Sequence, residues 1–234
     1  MGEAILWGSV AAAPLMLGAL LALWRAWPPK WLGIVLGFGA GALMASIAFE
    51  LWEEGLTEGG PLPLAIGVAA GAVCYYIGDR IVEKRAQGSQ GSQGAPLAVG
   101  ALLDGIPEQL VLGIGLASGE GVSVALVIAI FVSNLPESIG SASDLLEGGM
   151  KRARVLQLWV VVTIVCALAT VAGFALADAV SPEFRAATSG FAAGALLVML
   201  VDSMVPDAQS KAKDATGLAT VLGFAVAAGL SLAG

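Results

Sequence analysis

Two short stretches of this sequence place acids and a proline inside long apolar runs: DGIPE at residues 104–108 and SNLPE at residues 133–137. The first and last residues of each stretch are four apart and would share one face of a helix. Each proline lacks an amide hydrogen and crowds the carbonyl four residues earlier. Both stretches therefore predict a helix kink and a backbone carbonyl that can act as a ligand.

The side chains that these stretches offer are all oxygen donors. An ionised carboxylate in an apolar helix is costly, about 2.5–3.5 kcal/mol at the centre of a bilayer, so a proton or a cation is needed to neutralise it. The residues predict a cation site with five ligands: Asp104, Glu108, Ser133, Asn134 and Glu137. The alternative is a hydrogen-bonded, partly protonated acid cluster that only holds helices together.

The residues leave the identity of the cation open. Oxygen-only sites suit hard cations such as Mg²⁺, Ca²⁺ or Mn²⁺. The chain has no histidine, and Cys74 and Cys166 lie in apolar stretches typical of packing residues. A His/Cys zinc centre is therefore not predicted, although zinc bound by carboxylates stays an alternative.

The composition indicates an integral membrane protein. Of the 234 residues, 58% are hydrophobic and 12% are charged, and the mean hydropathy is +0.88. A soluble domain is about 45–50% apolar and about 25% charged. The net charge of −7 counts against nucleic acid as a partner, because nucleic-acid binding requires a basic face.

The apolar runs predict eight membrane-spanning helices, since they are continuous and show no strand-like alternation. They cover approximately residues 4–26, 31–52, 62–82, 95–117, 121–144, 155–178, 187–205 and 215–233. The Gly/Ser/Gln-rich stretch at residues 87–96 predicts a flexible cytoplasmic linker. The chain is thus predicted to be a single all-α transmembrane domain.

The basic residues predict the orientation of these spans. All of the 11 Lys and Arg residues except Arg185 flank the loops between spans 1 and 2, 3 and 4, 5 and 6, or 7 and 8. Cytoplasmic loops of membrane proteins carry an excess of Lys and Arg. Both termini are therefore predicted to be extracytoplasmic.

Two pairs of similar segments within the chain predict an inverted repeat. GFGAGAL at residues 37–43 in span 2 returns as GFAAGAL at residues 190–196 in span 7, and DGIPE of span 4 returns as SNLPE in span 5. In the predicted topology the members of each pair run in opposite directions, which is typical of transporters that bind substrate near the midplane. The alternative for the first pair is close helix packing, because each copy contains GxxxG.

The xPE stretches, the eight spans, the outward termini and the variable loop after span 3 resemble the ZIP (Zrt/Irt-like) family of divalent-metal transporters, in particular its compact bacterial members. The resemblance covers nearly the whole chain and implies an inverted-repeat bundle of 3+2+3 helices. It also implies a homodimer, and an elevator-like or rocking movement of a helix group that carries spans 4 and 5.

The resemblance also implies roles for individual residues. Where the family's span 4 reads H-N-x-P-E-G, Asp104 stands at a metal-binding His, Gly105 at a ligating Asn and Glu108 at the bridging Glu. The span 5 motif places ligands at Ser133, Asn134 and Glu137.

The chain departs from the family pattern after each xPE glutamate, where Gln109 and Ser138 replace the usual Gly. Span 6 has no acid before Asp178, where many family members supply a Glu. A full binuclear centre is therefore not predicted.

Four further acids are predicted to lie along a transport route. Asp202 and Asp207 match the family's acidic end of span 7. Asp144 follows Glu137 by seven residues on the same helical face, nearer the cytoplasm. Glu50, near the outer end of span 2, is a candidate for the entrance.

The predicted function is transport of divalent metal cations, such as zinc, iron or manganese, across the plasma membrane into the cytoplasm. The predicted setting is a multi-pass protein of a prokaryotic inner membrane, in contact with lipid, with no enzymatic activity and no cofactor beyond the transported metal. Two alternatives remain: a proton- or ion-coupled carrier of another solute, and a non-transporting receptor or scaffold with the same fold.

Overall fold

The computed structural model of the chain describes residues 1–86, 95–117, 124–179 and 181–232. Within these ranges it leaves undescribed the side chains of residues 82, 83, 85, 86, 95–101, 103, 104, 124–126, 129 and 178. All regular secondary structure in the described part is helical. This confirms the predicted all-α class.

Eight long helices follow one another along the described ranges. They are α1 (Gly2–Trp24), α2 (Pro29–Gly59), α3 (Pro61–Ala86), α4 (Ala95–Ala117), α5 (Val124–Glu147), α6 (Arg152–Leu176), α7 (Pro182–Ala212) and α8 (Ala215–Ser231). The predicted linker at residues 87–96 lies outside the described residues, except for its last two, which belong to α4.

Two helices are longer than hydropathy predicted. α2 continues past residue 52 through WEEGLTEG, and α7 continues past residue 205 through PDAQSKA. An apolar run ends where polar side chains begin. The hydrogen bonding of a helix backbone, by contrast, can continue through a polar segment.

Five helices are long and apolar enough to cross a membrane. They are α1, α2, α6, α7 and the Pro61–Ile81 part of α3. The described Gly105–Ala117 part of α4 and the whole of α8 are apolar but shorter. The described residues therefore fit a multi-pass membrane protein by length and composition.

α2 and α7 are twins in backbone geometry as well as in sequence. Each has 31 residues, and each contains a five-residue π-helical turn at the same position, at Ile47–Leu51 in α2 and Leu200–Met204 in α7. They run antiparallel, because Gly33 near the start of α2 faces Ala212 at the end of α7. The echo between spans 2 and 7 thus extends to an irregular feature that packing glycines alone do not explain.

Glycines allow α2 and α7 each to pack closely on a parallel neighbour. A Cβ atom at Gly41 would overlap the carbonyl oxygen of Thr220 in α8, and one at Gly194 would overlap that of Val68 in α3. Only a residue without a side chain fits such approaches. The packing interpretation of GFxAGAL is therefore confirmed, and the inverted repeat stays a prediction with which the matching lengths and π-helical turns of α2 and α7 agree.

The eight helices pack as two groups of four. One group contains α1, α4, α5 and α6, and its buried cores include Leu15, Leu112 and Trp159. The other contains α2, α3, α7 and α8; α2, α3 and α7 share a core, and α8 packs on α2. We call these the α5 group and the α2 group.

The two groups meet along a seam where α5 crosses α2. A Cβ at Gly39 of α2 would lie 2.9 Å from the Cβ of Pro136, and one at Gly140 of α5 would lie 2.8 Å from a methyl of Leu36. α4 also contacts α3 and α7 of the other group. The two proline-containing helices therefore belong to one group and border the other.

Candidate metal site

The two xPE stretches occupy corresponding places in neighbouring helices. Pro107 lies inside α4 and Pro136 inside α5, and both helices continue through the proline. α4 and α5 pack against each other. The glutamates that follow the prolines are deeply buried, with 2% of Glu108 and 0% of Glu137 exposed.

We call Glu108 and Glu137 the acid pair. Ser133 and Asn134, which precede Glu137 in α5, are also buried, at 0% and 1% exposure. The Ser133 hydroxyl donates to the Ile130 carbonyl at 3.1 Å, so its oxygen keeps lone pairs for a ligand. Both side-chain amide atoms of Asn134 lack a hydrogen-bond partner among the described residues. Buried polar groups are normally satisfied, and a bound cation would satisfy the Asn134 carbonyl oxygen.

The α4 half of the predicted site is less complete. The Asp104 side chain lies outside the described residues, and the adjacent Gly105 faces Cys166 of α6: a Cβ there would lie 2.8 Å from the thiol sulfur. Among the residues that the structure describes, no group of three or more His, Cys, Asp or Glu could hold a metal ion. The part of Asp104 as a further acidic ligand stays a prediction.

The residues that directly follow the two glutamates form hydrogen bonds with other helices of the α5 group. Gln109 is fully buried, and its side-chain oxygen accepts a hydrogen bond from the Thr170 hydroxyl of α6. The Ser138 hydroxyl lies 3.1 Å from the Pro14 carbonyl of α1 and 2.8 Å from the Asn134 carbonyl. From the sequence, Gln109 and Ser138 were recognisable only as departures from the glycine of the family pattern. Their matching positions, directly after the two xPE motifs, could have indicated a shared role.

Two of the four predicted route acids form an ion cluster with a lysine. Lys211 of α7 lies 2.7 Å from an Asp144 carboxylate oxygen of α5 and 2.8 Å from an Asp207 carboxylate oxygen. We call these three residues the lysine triad. Because Lys211 belongs to the α2 group and Asp144 to the α5 group, the triad joins the two groups.

The other two predicted route acids lie in the π-helical turns. Glu50 is half-buried in the turn of α2, whereas Asp202 is exposed in the turn of α7. π-helical turns often mark functional sites. The part of Glu50 and Asp202 in a transport route stays a prediction.

Comparison with known proteins adds one relative. No protein-family model matches the chain. The chain is 31% identical over 211 residues to an Arabidopsis thaliana protein that carries the name "Putative zinc transporter". The match covers 86% of this chain and 34% of the relative, so the chain spans about a third of the relative's length.

Proposed function

We propose that the chain transports divalent metal cations across the membrane into the cytoplasm, as a ZIP-like transporter. The observation that carries this proposal is the buried oxygen set of Glu108, Ser133, Asn134 and Glu137 in two packed, proline-containing helices. No Lys, Arg or His occurs within α4 or α5. A transported cation would neutralise the buried carboxylates there, and similarity to a protein that carries the name "Putative zinc transporter" supports the same proposal.

The metal in this proposal is bound as substrate, by Glu108, Ser133, Asn134 and Glu137 together with Asp104. Carboxylate, amide and hydroxyl oxygens fit Mn²⁺ and other hard cations, and carboxylates also bind Zn²⁺. Zinc, iron and manganese are therefore the candidate substrates, and no further cofactor is needed.

The packing also supports the proposed orientation. The loops after α1 and α5 meet at a cavity containing Trp27 and Lys151, and Lys211 at the end of α7 contacts α5 at that same end. This basic end would face the cytoplasm of a prokaryotic inner membrane. Helices that begin there and helices that end there alternate, so both termini would be extracytoplasmic.

The two helix groups suggest how the cation would cross. The acid pair belongs to the α5 group, and Pro136, next to Glu137, lies at the seam with the α2 group. Movement of the α5 group along the α2 group, in a monomer or in the homodimer implied by the resemblance, would expose the site alternately to each side.

Uptake by proteoliposomes tests the proposal. Purified protein should accumulate at least one of Zn²⁺, Fe²⁺, Mn²⁺, Co²⁺, Cd²⁺ and Mg²⁺ above protein-free vesicles. Glu108→Gln and Glu137→Gln should reduce uptake to that background, whereas the matched control Glu183→Gln, at an exposed acid, should not. Undiminished uptake by both site variants would contradict the site. Absence of uptake of every metal by the unaltered protein would contradict the function.

A further inference from the structure

The cavity at the basic end of the bundle lies apart from the acid pair. It has a volume of about 530 Å³ and is bordered by the end of α1, the end of α5 and the start of α6. Its polar lining comes from Ser143, Glu147, Lys151 and Arg152, and Trp27 contributes an apolar wall. The Trp27 indole N–H already donates to the Leu21 carbonyl.

The start of α6 has a charge pattern opposite to the usual one. Lys151, Arg152 and Arg154 occupy its first turn and N-cap, with no acidic residue and no side-chain cap. Helix N-termini carry a partial positive charge and favour acids, because their first amides have no acceptor within the helix. Clustered cations there are stabilised if an anion binds, and helix N-termini are frequent anion sites.

A buried hydroxyl gives independent support. Ser143 of α5 lines the same cavity with only 7% of its surface exposed, and its hydroxyl has no hydrogen-bond partner among the described residues. A polar atom buried in this way is rare without a ligand or water. Its position in the lining adds a neutral donor to the charged residues at the start of α6.

We propose that this cavity binds a phosphate group, with Lys151, Arg152, the first amides of α6 and the Ser143 hydroxyl as its donors. Two lining cations outweigh the one lining acid, Glu147, which is exposed and can turn toward solvent. The phosphate could belong to an anionic phospholipid of the adjacent leaflet or to a soluble phosphate. This site is separate from the acid pair and does not depend on the proposed transport.

Thermal unfolding of the purified full chain in detergent tests the site. The probes are short-chain phosphatidylglycerol and inorganic phosphate, and at least one should raise the unfolding temperature saturably. Stabilisation by phosphatidylglycerol alone identifies a lipid headgroup site, and stabilisation by both identifies a general phosphate site. Stabilisation by neither overturns the proposal.

Variants locate the binding. Lys151→Gln/Arg152→Gln should weaken the apparent affinity at least about tenfold, and Ser143→Ala about threefold, because charge-assisted hydrogen bonds exceed neutral ones. The control Lys30→Gln removes an exposed lysine near the same end and should leave the affinity unchanged. If Lys30→Gln weakens binding as much as the double variant does, attraction is non-specific and the assigned cavity is wrong. Intact unfolding transitions without ligand establish that each variant is folded.

Discussion

Two sets of buried acids, both predicted from the sequence as parts of one cation route, have different surroundings. Asp144 and Asp207 share Lys211 at the end of the bundle, and the three side chains are 14–23% exposed. Glu108 and Glu137 lie within α4 and α5, at 2% and 0% exposure. Those two helices contain no basic residue.

α5 contributes one acid to each of the two sets. Glu137 and Asp144 are two turns apart, yet Asp144 meets a lysine from another helix while Glu137 neighbours Ser133, Asn134 and Ser138 in sequence. An acid with its own lysine is neutralised by the protein and stabilises the fold. In the proposed function, Glu108 and Glu137 are neutralised by a bound metal ion. The same residue type thus pairs with a lysine at one position and has a proposed binding role at the other.

Removing the lysine should produce the largest loss of stability. Lys211→Met leaves Asp144 and Asp207 close together and largely buried, and should lower the free energy of unfolding by about 2–3 kcal/mol. Chemical unfolding in detergent micelles measures this change. Lys211→Arg keeps the charge and serves as the control. A loss below about 0.5 kcal/mol, the range of ordinary surface substitutions, would show that the triad does not stabilise the fold.

Adding one more carboxylate to the proposed metal site should increase its affinity for cations. Asn134→Asp is nearly isosteric and increases the negative charge of a buried oxygen set. We expect metal affinity to rise about tenfold, because ligand charge tunes affinity at oxygen sites, and stability without metal to fall. Metal-dependent thermal unfolding measures both effects. Asn134→Asp without any gain in affinity would argue that this residue does not face the cation.

The smallest effect should come from the hydrogen bond that supports α4. Thr170→Val removes the donor to Gln109 and should cost about 1 kcal/mol of unfolding free energy. Thr163→Val in the same helix is the matched control, because that hydroxyl has no partner among the described residues; it should be neutral. Equal costs for the two variants would show that the hydrogen bond contributes nothing specific.

Features that are local in sequence, or that repeat, were predictable. Continuous apolar runs predicted eight helices, since each run can satisfy its backbone hydrogen bonds alone. The glycine spacing of GFxAGAL predicted close packing, and its recurrence in spans 2 and 7 agrees with the matching lengths of α2 and α7. The matching π-helical turns at Ile47–Leu51 and Leu200–Met204 were not predicted, because no residue type specifies a π turn.

Contacts between distant residues were not predictable. The sequence predicts Lys211 in the loop between spans 7 and 8, because the apolar run of span 7 ends before it. Only the added helical turns bring it within i,i+4 reach of Asp207, and its contact with Asp144 spans 67 residues. The Gln109–Thr170 hydrogen bond spans 61 residues. Such contacts depend on how helices cross, which helical periodicity does not encode.

Equilibrium metal binding to the purified protein tests whether the acid pair binds a cation and the lysine triad does not. Zn²⁺ and Mn²⁺ binding would be measured by equilibrium dialysis and metal analysis, for three forms of the chain. The unaltered chain and the triad-free variant Asp144→Asn/Asp207→Asn/Lys211→Met should bind the same number of ions with similar affinity. Glu108→Gln/Glu137→Gln should lose this binding while staying folded. Metal binding by the acid pair would be contradicted if the double glutamine variant still bound metal. It would also be contradicted if only the triad-free variant lost metal binding.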